Sequence, residues 1–100
     1  MNVSIKKEAE KFLVTLVGRV DTTNAEQFQK DLQPLMEAGK TNIEINCNDM
    51  EYTSSQGLRI FLLLQKSVSA QGGSMVLTQM KPQVKEVFDI TGFSNIIKIK

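Results

Sequence analysis

The stretch Met50-Glu51-Tyr52-Thr53-Ser54-Ser55-Gln56-Gly57-Leu58-Arg59-Ile60-Phe61-Leu62 decides the reading of the fold. Its first residues end a strand-like segment. Two adjacent hydroxyls follow, and then an apolar run with helical spacing. A strand that hands over to a helix through a short polar junction is a building unit of α/β domains. Hydroxyls at such a junction can cap the helix. They can equally accept a phosphate, which adds roughly −1.5 to −2 charge at neutral pH.

Toward the C-terminus, the helix that opens at Gln56 extends to about Ala70, with Leu58, Phe61, Leu62, Leu64 and Val68 facing inward. Gly72-Gly73 ends it. Met75-Val76-Leu77-Thr78 reads as a strand. Pro82 suits a first helical position. Val84, Val87 and Phe88 give a third helix its inner face, and Gly92 stops it. Ile96-Ile97-Lys98-Ile99 is a last short strand.

Toward the N-terminus, Ile43, Ile45 and Cys47 alternate in a strand over 42–47 that Asn48-Asp49 breaks. Ala25, Phe28, Leu32, Leu35 and Met36 keep helical spacing ahead of it, and Gly39 supplies a stop. Pro34 conflicts with that pattern and predicts a kink or an early end. Asp21-Thr22-Thr23-Asn24 is rich in capping types, and Asn24 with Gln27 three residues on has the form of a capping box. Residues 12–17 are apolar on both faces and read as a buried strand closed by Gly18. Val3-Ser4-Ile5 is a first short strand, followed by a charged turn from Glu8 to Lys11.

Alternating strands and helices at this spacing predict βαβ units with right-handed crossovers. The expected fold is α/β: one small domain over residues 1–100, with a mixed sheet of about four to five strands. The helices should lie mainly on one face, because so short a chain hardly covers both.

Composition narrows the function. The net charge is +1 with both signs scattered, and no basic stripe suggests a nucleic-acid surface. The longest apolar stretch, Ile60-Phe61-Leu62-Leu63-Leu64, is too short to span a bilayer. Met1-Asn2-Val3-Ser4-Ile5 runs into charged residues, so no signal peptide is expected. One cysteine, Cys47, fits a reducing compartment, and a cytoplasmic location follows. Without histidine there is no Ser-His-Asp triad and no imidazole metal ligand. Gln71-Gly72-Gly73-Ser74 reads as a turn, not as a phosphate-binding loop. No enzyme, cofactor or metal site is expected.

Three motifs then stand in order. Gly18-Arg19-Val20-Asp21-Thr22-Thr23-Asn24-Ala25 is a glycine-to-aspartate turn leading into a helix. Tyr52-Thr53-Ser54-Ser55-Gln56-Gly57-Leu58-Arg59 is an aromatic residue and a hydroxyl pair ahead of Gly-Leu. Pro82 to Phe93 is a helix ending in a hydrophobic-Thr-Gly turn. Together they resemble the STAS family (sulfate transporter and anti-sigma factor antagonist domains) over essentially the whole chain, and most of all its stand-alone bacterial anti-sigma factor antagonists.

The resemblance implies a partner switch. In the family the serine two residues before the motif glycine accepts phosphate, which is Ser55 here; Ser54 is the alternative on chemistry alone. The unmodified antagonist would bind an anti-sigma factor that is also a serine kinase, releasing a sigma factor. Phosphorylation at Ser55 would block that binding, and a metal-dependent serine phosphatase would restore it. The implied partner surface comprises Asp21, Thr22, Thr23, Asn24, Ser54, Ser55, Gln56, Gly57 and Arg59, on a chain that is a monomer when free. Some close relatives carry Asp at the position of Ser54, where Ser-Ser is also a familiar variant; many carry Asp at the position of Asn46, and Gln56 is bulkier than the usual Ser or Ala. A second reading within the family is a non-catalytic subunit of a transporter or signalling scaffold.

Each of these residues also has a plainer role. Ser54 and Ser55 can simply cap the helix, one serine serving each purpose. Asp21 can be a turn residue, with Thr22, Thr23 and Asn24 as caps and rim. Arg59 reads as a solvated first-turn residue whose side chain can neutralise a partner carboxylate. Cys47 is a small buried strand residue. Tyr52 is expected to pack under the junction loop, and Phe93 over the end of the third helix.

Overall fold

The computed structural model describes all 100 residues. Strand β1 (Asn2–Glu8) turns through Ala9-Glu10 into β2 (Lys11–Val20). Helix α1 (Ala25–Met36), β3 (Asn42–Thr53), α2 (Ser55–Ala70), β4 (Ser74–Thr78) and α3 (Pro82–Ile90) follow. A 3-10 turn at Phe93–Asn95 leads to β5 (Lys98–Ile99). The strands lie in the order β1-β2-β3-β4-β5. β1 is antiparallel to β2, and the other pairings are parallel. This is the small α/β domain with a mixed sheet that the sequence predicts.

The order of the strands explains the layering. Each helical crossover steps one strand further in the same direction. Right-handed crossovers of that kind put all their helices on one face. Val14, Leu16, Ile45, Cys47 and Leu77 from that face join Phe28, Leu32, Phe61, Leu64 and Phe88 from the helices in one core. The Phe61 ring meets Phe28 edge-on at 5.4 Å and Phe88 at 5.7 Å, so one aromatic row ties the three helices together. The carbonyl of Met36 at the end of α1 accepts from Ser67 Oγ on α2 at 3.0 Å and from Gln71 Nε2, just past the end of α2, at 2.9 Å, which satisfies a group the helix leaves unpaired.

Several local expectations change. The 12–17 segment is covered on one face only: Leu13 and Thr15 are half-buried and Val17 is 44% exposed, because no crossover returns to the other side. Gly18, at φ +107°, does not close β2; it sits where the register slips, and the strand continues to Val20. Asn48-Asp49 does not break β3 either. Thr15 pairs with Asn46 and Val17 with Asp49, then Gly18 with Met50 and Arg19 with Tyr52. β3 therefore carries two extra residues as bulges, which bend a strand without ending it. The Asn48 amide, freed by the first bulge, donates to Asn46 Oδ1 at 2.9 Å.

Pro34 lies inside α1, which ends two residues later at Met36. It stands exposed in the last turn, where the helix is about to end in any case. Ile96 and Ile97 lie before the last strand, which is only Lys98–Ile99; Ile97 is instead a buried core residue. Leu62 is half-buried, and Ile60 takes a buried place on α2 that helical spacing did not assign to it. Cys47 is fully buried, and its thiol is pushed up to about 12 by desolvation, which leaves it an inert packing group.

Candidate functional site

The two bulges deliver Thr53 to the side of Val20, so β2 and β3 end together. The residues after each strand end therefore meet at one corner of the molecule. Ser54 is the N-cap of α2, with extended backbone (φ −83°, ψ 173°). Its amide donates to the Val20 carbonyl at 2.9 Å, and its hydroxyl accepts from the Gly57 amide at 3.3 Å. Ser55 is the first helical residue, exposed, with no hydrogen bond holding its hydroxyl. The paired serines thus divide: one is built into the junction and one is presented to solvent.

Gly57 is required by the packing of this corner. A methyl group there would overlap Thr53 Oγ1 and lie 2.5 Å from Val20 Cγ1. Both neighbours are buried. The first turn of α2 can sit so low on the strand ends only because position 57 has no side chain.

The loop after β2 is held by its own polar groups. Asp21 Oδ1 accepts from Thr23 Oγ1 at 2.6 Å and from the Thr23 amide at 2.9 Å. Asp21 Oδ2 lies 3.4 Å from Arg19 Nε. The Thr23 hydroxyl and amide bonds, with the nearby arginine, hold the Asp21 carboxyl below the usual carboxylate range. Asn24 does not cap α1 through its side chain. Its Oδ1 accepts from the Asp21 amide and its Nδ2 donates to the Arg19 carbonyl, both at 2.9 Å. Gln27 pairs with Asp31 at 2.8 Å in place of closing a capping box. Thr22 is exposed and faces no partner in the loop.

Tyr52 does not pack under the junction. It is 44% exposed, and the Arg19 guanidinium lies over its ring at 5.0 Å. This Arg19–Tyr52 pair flanks the corner; the sequence motifs contained both residues but gave no sign that they meet. The register that pairs them belongs to the β2–β3 ladder. Gln56 and Arg59 are exposed on the first turns of α2 and line a groove against Ala25, Glu26 and Gln29 of α1. The expected residues thus gather at this end of the domain, all at its surface except Gly57, which is buried. A larger cavity of about 660 Å³ lies among Lys7, Phe12, Lys40 and Asn42, where β2 and β3 begin, and involves none of them.

The described residues include no cluster of carboxylate, imidazole or thiolate groups able to hold a metal. No helix is long and apolar enough to cross a membrane. The corner offers a hydroxyl, a helix N-terminus, one anionic loop and two arginines. Chemically, such groups can form hydrogen bonds and ion pairs with a partner, and an exposed hydroxyl can accept a phosphoryl group.

Residues 2–100 match the family model of the STAS domain. The chain belongs to the STAS domain family. This STAS domain is 34% identical over 99 residues to the anti-sigma-B factor antagonist of Bacillus subtilis, covering 99% of the chain and 90% of the relative. It is 33% identical over 99 residues to BtrV of Bordetella bronchiseptica, covering 99% and 85%. Among solved structures it resembles the anti-sigma factor antagonist SpoIIAA. The unphosphorylated form superposes with a TM-score of 0.81 at 19% identity over 99% of this chain and 88% of that one. The phosphorylated form gives 0.73 at 19% identity over 99% and 91%. At that identity the likeness is one of fold.

Proposed function

We propose that this STAS domain is an anti-sigma factor antagonist whose binding is switched by phosphorylation of Ser55. The unmodified chain binds an anti-sigma factor with serine kinase activity and so releases a sigma factor. The kinase transfers the γ-phosphoryl group of a nucleoside triphosphate to Ser55 Oγ, whose proton passes to a base on the kinase. A serine phosphatase later transfers the phosphoryl group to water. The chain itself is the non-catalytic member of the cycle.

One observation carries this reading: Ser54 is consumed by the helix cap, whereas Ser55 is exposed and unbonded at the first position of α2. The names of the relatives, and SpoIIAA's existence in a phosphorylated form, support it. Physics supports it as well. A phosphate at position 55 would meet the positive end of α2 and unpaired amides, so the domain tolerates it. The same dianion adds bulk, repulsion and desolvation cost to a docked partner, a coupling of about 1–3 kcal/mol. The partner surface is Asp21 to Asn24 together with Ser54 to Gln56 and Arg59; Gly57, expected there, is buried against Thr53 and Val20 and shapes the corner from beneath.

The test is intact-mass and peptide mass spectrometry of the chain recovered from its native cell, with Ser55→Ala alongside. A single phosphate on Ser55, lost in the variant, is the expected result, followed by capture of the kinase by the unmodified form only. A phosphate on Ser54 would overturn the residue assignment. Its absence under every growth condition would favour a constitutive interaction subunit.

A further inference from the structure

Ser55, Arg59 and Leu63 are spaced four residues apart on α2 and form one exposed stripe. Residues i and i+4 on a helix bring their Cβ atoms to roughly 5–6 Å of each other. Arg59 and Leu63 also line the groove of about 320 Å³ between α1 and α2, whose apolar floor includes Ala25 and Ile60. Leu63 is 47% exposed.

Arg59 is the one cation of this groove, and it enters none of the ion pairs of the molecule. The groove's one carboxylate is Glu26. Glu26 on α1 pairs with Lys30 at 3.6 Å. Arg19, at the end of β2, is held by Asp21 and by the Tyr52 ring.

We propose that Arg59 reads the phosphorylation state of Ser55: a phosphoryl group at position 55 takes the Arg59 guanidinium as its i+4 counter-ion and draws the only cation out of the α1–α2 groove. The inference rests on Ser55 being the acceptor. An anion placed N-terminal to a cation at this spacing has the favourable orientation on a helix, and a guanidinium matches phosphate oxygens with two parallel donors. In the unmodified chain Arg59 is unpaired beside Ile60 and Leu63, placed to receive a partner segment that carries a carboxylate next to an apolar side chain. Phosphorylation then acts twice, by placing a dianion on the docking surface and by removing the cation that the partner's carboxylate needs.

The test installs phosphoserine directly at position 55 of the full chain and follows its second ionisation by phosphorus NMR at low salt. A cation beside the phosphate stabilises the dianion and lowers that pKa from about 6. The parent chain should titrate roughly 0.2–0.4 unit below Arg59→Gln, the size set by an exposed i,i+4 pair. Arg59→Lys should recover part of the drop, Arg19→Gln should leave it unaltered, and salt near about 1 M should erase it. Equal titration of the parent and Arg59→Gln overturns the proposal, as does a rise produced by Arg19→Gln in its place. Since the phosphate is installed without a kinase, this outcome is separate from whether cells modify Ser55.

Discussion

The amide of Ser54 donates to the carbonyl of Val20 at 2.9 Å and pins the entry of α2 to the last residue of β2. With the Ser54 hydroxyl committed to the Gly57 amide, this bond settles which of two chemically identical neighbours faces inward. The fold thereby separates a structural serine from a presented one without any difference in residue type.

Replacing each serine should therefore have different effects. Ser54→Ala removes a side-chain cap and should cost about 1 kcal/mol, read as a lower urea midpoint with an unchanged slope. Ser55→Ala removes an exposed hydroxyl with no partner, and stability should stay within about 0.5 kcal/mol of the parent. Mass spectrometry should find phosphate on the first variant and none on the second.

Gly57→Ala should damage the corner by overpacking. The added methyl meets Thr53 and Val20, which are buried and cannot swing aside. A loss of about 1–3 kcal/mol is expected by denaturant titration. The chemical-shift changes should concentrate at the ends of β2 and β3 and the first turn of α2.

The Asp21 loop should weaken in acid. Its carboxyl titrates below its ordinary value because the Thr23 hydroxyl and amide bind its charged form. A carboxylate lowered on folding contributes stability that is fully present above the unfolded pKa of about 3.9 and is lost as pH falls through the folded value. Thr23→Val deletes the hydroxyl donor and keeps the amide donor. Carbon-detected NMR titration should show the Asp21 pKa moving up toward, without reaching, the unfolded value.

Phe61→Ala should be the most destabilising of these changes. The ring is fully buried and touches one phenylalanine from each of the other two helices. Truncation should cost about 3–5 kcal/mol, enough to consume much of a small domain's stability of about 5–15 kcal/mol. Near-ultraviolet circular dichroism and the melting midpoint would both register it.

Much of this molecule can be read from local pattern. Helical spacing located all three helices, since Phe28, Leu32, Phe61, Leu64 and Phe88 repeat at the period that faces a core. The strand-to-helix alternation dictated the crossovers, and the Ser54-Ser55 junction with Gly57 marked the candidate site. Local pattern carries such information because burial periodicity and capping chemistry act within a few residues. Pairing between distant segments does not. Nothing near Asn48-Asp49 announces that β3 will bulge and continue, because the ladder that holds it there belongs to β2. Asn24 looks like a helix cap until the end of β2 lies close enough to take both halves of its amide. Tyr52 looks like a buried aromatic until Arg19 covers it on the face of the sheet that no helix crosses. The chain thus specifies its elements and its candidate site through short-range chemistry. Strand register and the burial of one sheet face, which follow from contacts far apart in sequence, select the serine that is left outside.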